Sequence, residues 1–384
     1  MQKTMTNNAV IYVNFSQYDN TGRILDYLTE RFTYVLHFSF DHLRLKNGRK
    51  TNLITLYQKG HKPKQNTLYS LRTPPYLLFL SLPLVGILMI FQTIKHSVLF
   101  KKTIGPSVFF TVNAFPAMIG IILRTMHIVT HVHYWVWDYF PVKGPDWTLQ
   151  IIRYTYLIFD MIALRLSDKL IFPNLRQLRL RKSLHGIKGD HAIIPLGCSK
   201  PILYSSKQKN VIGFLGMLKS SQGLDLILSC FDQVLKHNPN IRLEIIGSGP
   251  EEEYFRMKAK KYGNKINFYG FIENQNMINR IVHRWFAGLA PYKPIMGNES
   301  YFGDPSKIKV YLSQGVPIIT TNVTEYGALA KKNKFGITIV YTNKELLKAI
   351  QTLYKQQRTY QKNALRFASS LYYKNLYKTL FRFP

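Results

Sequence analysis

Three turns in the C-terminal half of the chain lead into helices, and two of them carry residues suited to holding an anion. The loop from Gly213 to Gly223 leaves a strand-like run and enters a helical one. Its backbone N–H groups and the positive end of the following helix can therefore face a phosphate or diphosphate, with Lys219 nearby as a cation. The turn from Ile245 to Glu253 holds Gly247, Gly249 and Pro250, then three glutamates. Proline suits a first helical turn and the acids suit the dipole, but acids repel phosphate, so this turn reads as structural. In the third, Gly303 to Lys307, Asp304 is placed to cap a helix, Pro305 to be its first residue, and Ser306 and Lys307 to follow. A lysine in a first turn opposes the helix dipole, and a bound anion would account for it.

In the first half, the run from His127 to Tyr139 holds His131, His133 and Asp138 beside Trp135 and Trp137. Strand alternation puts His131 and His133 on one face. The rings there can stack on a sugar or a lipid, or pack a core, which is their commoner use.

These residues need elements to position them, and the spacing supplies them. Ala9 to Phe15 reads as a strand, residues 16–22 as a loop and Arg23 to Phe32 as a helix. Tyr34–Phe40 and Asn52–Tyr57 read as further strands, and Ser107–Val112 with Ala114–Met126 as a strand-helix pair. The second half repeats the rhythm. Strands are expected at Asn210–Leu215, Arg242–Ile246, Ile266–Phe268, Ile318–Thr320 and Ile337–Val340, and helices at Gly223–Lys236, Glu251–Tyr262 and Lys307–Gln314. Such alternation predicts α/β units with parallel sheets covered on both faces. Residues 1–195 and 196–365 are the expected domains, joined near Ile193 to Gly197. Residues 366–384, with helical spacing from Leu371 to Phe383, are expected to pack back on the first domain.

Residues 73–94 carry no charge, a length that could span a bilayer. Strands on either side belong to one expected sheet, which favours a helix or hairpin, interrupted at Pro83 and Gly86, that dips into one leaflet. A buried core helix and a true span are the alternatives. Lysines and an arginine flank the segment, and a second basic run lies between Lys169 and Lys188, so contact with an anionic membrane surface is expected.

The order of motifs in the second half resembles the nucleotide-sugar domain of the GT-B glycosyltransferases of family 4. The series runs from the glycine loop at 213–223 through Gly247 to Pro250, Phe268 to Ile272, and Asp304 to Lys307, to Gly315 to Thr320. The resemblance covers about Ile193 to Ile350, and the first half only in outline. It implies a GT-B fold, two Rossmann-like domains facing each other across a cleft. It implies a UDP- or GDP-sugar as donor substrate, with its base against Gly270 and Phe271, and transfer with retention of configuration without a metal or other cofactor. Gly216, Lys219, Gln222, Gly270, Phe271, Asp304, Ser306 and Lys307 fall at donor-binding positions, and Gly22 in the loop that approaches the acceptor. His133 and Asp138 fall on the strand whose end points at the sugar, as catalytic candidates. The chain departs from the family where Met217 and Gln222 replace the usual arginine and lysine. Phe302 and Val310 likewise stand where two glutamates are usual, which makes this an Asp-Pro-x-Lys variant.

Composition fits this reading. The 384 residues, 46% hydrophobic, can build two cores. Lys and Arg number 52 against 20 Asp and Glu, a net charge of +32 that attracts polyanions. The basic residues are scattered with no recognisable nucleic-acid-binding motif, so a nucleic-acid partner is not expected. Cys198 and Cys230 form neither a disulfide framework nor a metal cluster, and no secretory signal precedes the first strand. The expectation is a glycosyltransferase at the cytoplasmic face of a membrane, acting on a lipid-linked or glycan acceptor. The alternatives are a silent sugar-nucleotide- or lipid-binding protein of the same fold, a basic nucleic-acid-binding protein, and a GT-B epimerase.

Overall fold

The computed structural model describes residues 8–16, 19–41, 52–71, 78–137, 139, 147–187, 190–202 and 210–381. Two compact units divide the chain, one of Met1–Pro195 with Tyr377–Pro384 and one of Leu196–Leu376.

The first unit runs β1 (Ala9–Phe15), α1 (Ile24–Arg31), β2 (Tyr34–Phe40), β3 (Leu53–Gln58), β4 (Lys64–Thr67), α2 (Leu78–Ile104), β5 (Val108–Thr111), α3 (Ala114–Thr125), β6 (His131–Trp135), α4 (Trp147–Leu166), β7 (Lys169–Phe172), α5 (Leu175–His185) and β8 (Asp190–Ile193). Its strands form one sheet in the order β4-β3-β2-β1-β5-β6-β7-β8. Strand β1 is buried almost throughout, as a central strand covered on both faces must be, and pairs in parallel with β2 and β5. The all-parallel expectation needs correction at one edge, where β2–β3 and β3–β4 are antiparallel. Strand β4 is wholly polar and exposed, so it carried no hydrophobic signal.

Helix α2 also departs from expectation, since it continues unbroken through Pro83 and Gly86. At Gly86 the ring of Phe115 on α3 comes so close that a Cβ would lie 3.2 Å from it, so the glycine serves helix packing. Val85, Met89, Thr93, Ser97 and Phe100 form a buried stripe at helical spacing, and Val85, Met89 and Phe100 join the core with Ile11, Phe38 and Phe109. Leu80, Leu84, Ile87 and Phe91 lie on the opposite, exposed side. By length and composition alone the helix is long and apolar enough to cross a membrane.

The second unit runs β9 (Val211–Leu215), α6 (Leu224–His237), β10 (Arg242–Ile246), α7 (Glu252–Ala259), β11 (Ile266–Phe268), α8 (Gln275–Val282), β12 (Trp285–Ala290), α9 (Ser306–Ser313), β13 (Ile318–Thr320), α10 (Tyr326–Asn333), β14 (Gly336–Thr338), α11 (Asn343–Lys355), α12 (Gln357–Ser370) and α13 (Tyr373–Leu376). Its sheet is parallel throughout, in the order β11-β10-β9-β12-β13-β14. The switch point lies at β9, whose neighbours β10 and β12 are reached by crossovers in opposite directions. Ligands of open α/β sheets bind at the carboxyl ends of such strands.

No single helix spans Leu371 to Phe383. The chain turns at Leu371, whose carbonyl accepts from Cys198 N, and Tyr373 N donates to the Cys198 carbonyl, so pairing with a distant residue replaces the helix. Tyr377 and Phe381 are buried within the first unit against Tyr27, Phe32 and Phe110.

Candidate functional site

The site in the second unit begins where β9, β10 and β11 end. Gly216 N donates to the Ile246 carbonyl, Leu218 N to Ser248 and Gly247 N to Gly270, which laces the three strand ends together. Gly247 has φ 134°, and a Cβ there would sit 1.9 Å from the Gly216 carbonyl oxygen, so neither its conformation nor its surroundings admit another residue. The acidic turn is structural as expected: the Glu251 carboxylate accepts from Ser220 N and from the Ser220 hydroxyl. Those bonds hold Glu251 in its charged form against burial, so that its pKa falls below the ordinary value.

A second loop closes on the first. The Ser221 carbonyl accepts from Lys293 N and from Asn298 Nδ2, and Lys219 lies 3.6 Å from Glu299. Sequence reasoning passed over Asn298 and Ser221. The signal was slight, because an asparagine between Gly297 and Glu299 looks like any turn residue until its amide is seen to tie two loops.

Lys307 lies at the centre. Its ammonium donates to Gln222 Oε1 at 2.9 Å and sits 4.6 Å and 4.7 Å from the ring centroids of Phe214 and Tyr292. It would also lie 3.3 Å from a Cβ on Gly216. The residue is buried, and among the described residues no carboxylate pairs with it. Burial alone pulls its pKa from 10.5 down to about 7. The cation absent at positions 217 and 222 is thus supplied to the same loop from α9, and Gln222 orients it. Met217 is exposed.

Asp304 requires a correction. Helix α9 starts at Ser306 with Pro305 in the cap position and no side-chain cap bond. The Asp304 carboxylate is occupied instead by Leu196 N at 2.6 Å and by the buried ammonium of Lys309. Its role here is to fasten the start of this unit to α9, because a buried Lys309 needs a counter-charge more than the helix needs a cap. Ser306 is exposed at the helix start. Gly270 has φ 68° and Phe271 beside it is 62% exposed, a free aromatic face next to the strand ends.

In the first unit, Gly22 has φ 66° and lies in the turn between β1 and α1, and its carbonyl accepts from the Tyr377 hydroxyl at 2.7 Å. Asp19 fixes the same loop to β2 through Ser39 Oγ at 2.6 Å and His37 Nε2 at 3.3 Å. His133 is wholly buried, its ring stacked on Phe381 at 5.3 Å, and burial, then Lys169 and His131, push its pKa down to about 3. In this setting the ring is held neutral. His131, on the same face, is only half-buried. Asp138 lies outside the described residues. Its neighbours are held: Gln177 Nε2 donates to the Trp137 carbonyl at 3.0 Å, and the Arg181 guanidinium lies 4.6 Å from the Tyr139 ring. Arg181 is itself paired with Asp160 at 3.0 Å, both fully buried, and Tyr134 donates to Asp160 at 2.7 Å.

These arrangements can hold a diphosphate in the second unit and position a loop and a strand end in the first. Among the described residues no three His, Cys, Asp or Glu side chains converge as metal ligands.

Comparison with known proteins agrees with this geometry. The sequence model described as "Glycosyl transferases group 1" matches residues 199–367. The fold is similar to sucrose-phosphate synthase from Thermosynechococcus elongatus, with 15% identity, 97% of each chain covered and a TM-score of 0.68. It is also similar to Anabaena HepE in complex with UDP, with 13% identity over 95% of each chain and a TM-score of 0.61. WaaG, a glycosyltransferase involved in lipopolysaccharide biosynthesis, matches at 15% identity over 76% of this chain and 95% of WaaG, with a TM-score of 0.53. No curated protein sequence matches the chain.

Proposed function

We propose that the chain, whose residues 199–367 match the model of the group 1 glycosyltransferases in a GT-B fold, moves a sugar from a UDP- or GDP-sugar to a lipid-linked or polysaccharide acceptor with retention of configuration. The observation that carries this reading is Lys307, a buried ammonium beside the glycine loop that lacks a carboxylate partner among the described residues. A buried cation of this kind is costly unless a ligand supplies the opposite charge. The diphosphate of a nucleotide-sugar, seated beside the glycine loop next to the Lys307 ammonium, would supply it.

As the sugar–phosphate bond breaks, negative charge grows on the departing diphosphate. Lys307 is preorganised by Gln222, Phe214 and Tyr292 to stabilise that charge, with Lys219 and the α9 start around it. The acceptor hydroxyl attacks from the face the diphosphate leaves and passes its proton to the leaving phosphate. Phe271 offers its exposed ring to the nucleoside base. In this reading Gly22 serves the acceptor and Asp138 the sugar. The work is placed on the cytoplasmic side of a membrane, reached through residues 73–94 and their basic flanks.

A thermal-shift panel of nucleoside diphosphates and their sugars tests this. Selective stabilisation by one base, followed by transfer or donor hydrolysis, supports it. Stabilisation without either reaction favours the silent binding protein that Met217, Phe302 and Val310 suggest, and no stabilisation removes the donor site.

A further inference from the structure

Helices α2 to α5 form one basic layer on the first unit's sheet. The crossovers β5–α3–β6, β6–α4–β7 and β7–α5–β8 all step in the same direction along the strand order, so right-handed connections place α3, α4 and α5 on one face. Helix α2 packs beside α3, with Phe115 of α3 against Gly86, and Phe115 also meets Phe159 of α4 at 5.2 Å. The four helices carry ten lysines and arginines and a single acid, Asp160, which is buried against Arg181. No exposed carboxylate therefore lies on any of them.

Two exposed apolar stripes stand on this layer. One is Leu80, Leu84, Ile87 and Phe91 of α2. The other, which sequence reading did not single out, is Trp147, Ile151, Tyr154 and Ile158 of α4, again at helical spacing. Both begin at the N-terminal ends of their helices, as far as the structure describes them, and run to about the middle. Helices α3 and α4 start after the carboxyl ends of β5 and β6, and α2, which leads into β5, runs antiparallel to it. All three helix starts therefore lie at the sheet edge where the loop of Gly22 follows β1.

We propose that the exposed apolar stripes of α2 and α4 together form one docking surface for an anionic lipid bilayer, with both stripes sunk to the headgroup–acyl boundary and with Lys95, just beyond the α2 stripe, and Arg153, inside the α4 stripe, toward lipid phosphates. The surface deepens the membrane reading given above, and rests on it for the source of the acceptor. It accounts for why α2 is apolar on its outer side although its inner side is already buried from Val85 to Phe100. Helix α2 lies along the membrane and does not cross it, because crossing would strip that inner stripe from the sheet. An acceptor held in the bilayer would then arrive at the Gly22 edge without leaving its lipid.

Trp147 provides the test. Of the four tryptophans it alone is exposed, at 66%, while Trp135, Trp137 and Trp285 are buried. The full chain is mixed with phosphatidylcholine vesicles, with and without phosphatidylglycerol and with brominated acyl chains. The expected result is a blue shift and bromine quenching of Trp147 only with the anionic vesicles, absent in Trp147→Phe. Ile151→Ser with Ile158→Ser, and separately Ile87→Ser with Phe91→Ser, should each lower vesicle partitioning by about tenfold or more, as expected when two large apolar side chains leave the acyl boundary. An unquenched Trp147 with partitioning lost only in the α2 variant would overturn the proposal, since α2 would then act alone. Self-association that the α4 variant abolishes, without vesicle binding, would also overturn it and assign the face to a second copy. Nucleotide binding is read on the same samples without vesicles. Failure there would refute the transferase reading and leave the docking surface standing.

Discussion

Lys307 sets two demands against each other, and their opposition can be measured. A buried charge without a counter-ion destabilises the fold, yet the same charge is what a diphosphate requires. Lys307→Met keeps the volume and the contacts with Phe214 and Tyr292. The variant should therefore be more stable by about 1–4 kcal/mol at neutral pH while losing donor affinity. The sign with pH follows from a folded-state pKa lowered to about 7 from 10.5. As pH falls from about 10 to 7 the unfolded chain takes up this proton first, so wild-type stability declines over that window and levels off below it. The advantage of Lys307→Met should thus be fully present below pH 7 and vanish above about pH 10.5, as urea titrations across pH would reveal. Donor affinity moves the opposite way. A nucleotide-sugar binds the charged lysine, so its Kd should rise by up to about tenfold per pH unit above 7. Little in the sequence announced this. The lysine could be placed on the first turn of α9, but its burial and its pairing with Gln222 depend on contacts between segments 77 and 85 residues apart in the chain.

At the scale of elements, apolar runs located strands well. The expected β1, β2, β10, β11 and β13 coincide with those found, because each carries apolar residues in a short run between polar or turn segments. Strand β4 had no such run, and the helix expected from Leu371 to Phe383 gave way to pairing with Cys198, a contact spanning more than 170 residues that no local pattern encodes. Asp304 shows the same limit: its local fit to a cap was sound, and Lys309 and Leu196 claimed it instead. Two consequences are testable. Gly247→Ala forces a φ of 134° on a residue with a Cβ and a clash with Gly216, and should destabilise the second unit by several kcal/mol and abolish UDP binding, as melting and calorimetry would register. Tyr377→Phe removes the hydroxyl that holds the Gly22 carbonyl, and should cost about 0.5–1.5 kcal/mol of stability. Transfer should slow in that variant while the Kd for UDP, set in the other unit, stays constant.

For the molecule as a whole, the net charge of +32 says more about encounter than about the site. Surface lysines and arginines are screened by salt, whereas a buried cation is screened little. Adding salt should therefore weaken association with anionic vesicles steeply and leave nucleotide affinity nearly unchanged. A nucleic-acid-binding protein would show the steep dependence for its main ligand. The two-unit α/β organisation was legible in the alternation of strands and helices, and the donor half more clearly than the first, because its motifs follow one another closely in the chain. In the first unit the loop of Gly22 and the C-terminal Tyr377 meet only in three dimensions.

The central claim is that a diphosphate completes the charge balance at Lys307. Calorimetric titration of the wild type and of Lys307→Met with the nucleotide-sugar selected by thermal shift tests it most directly. The account predicts that the variant, though it melts higher, loses about 100-fold in affinity, equivalent to about 2.7 kcal/mol. Equal affinity in the two proteins would contradict it.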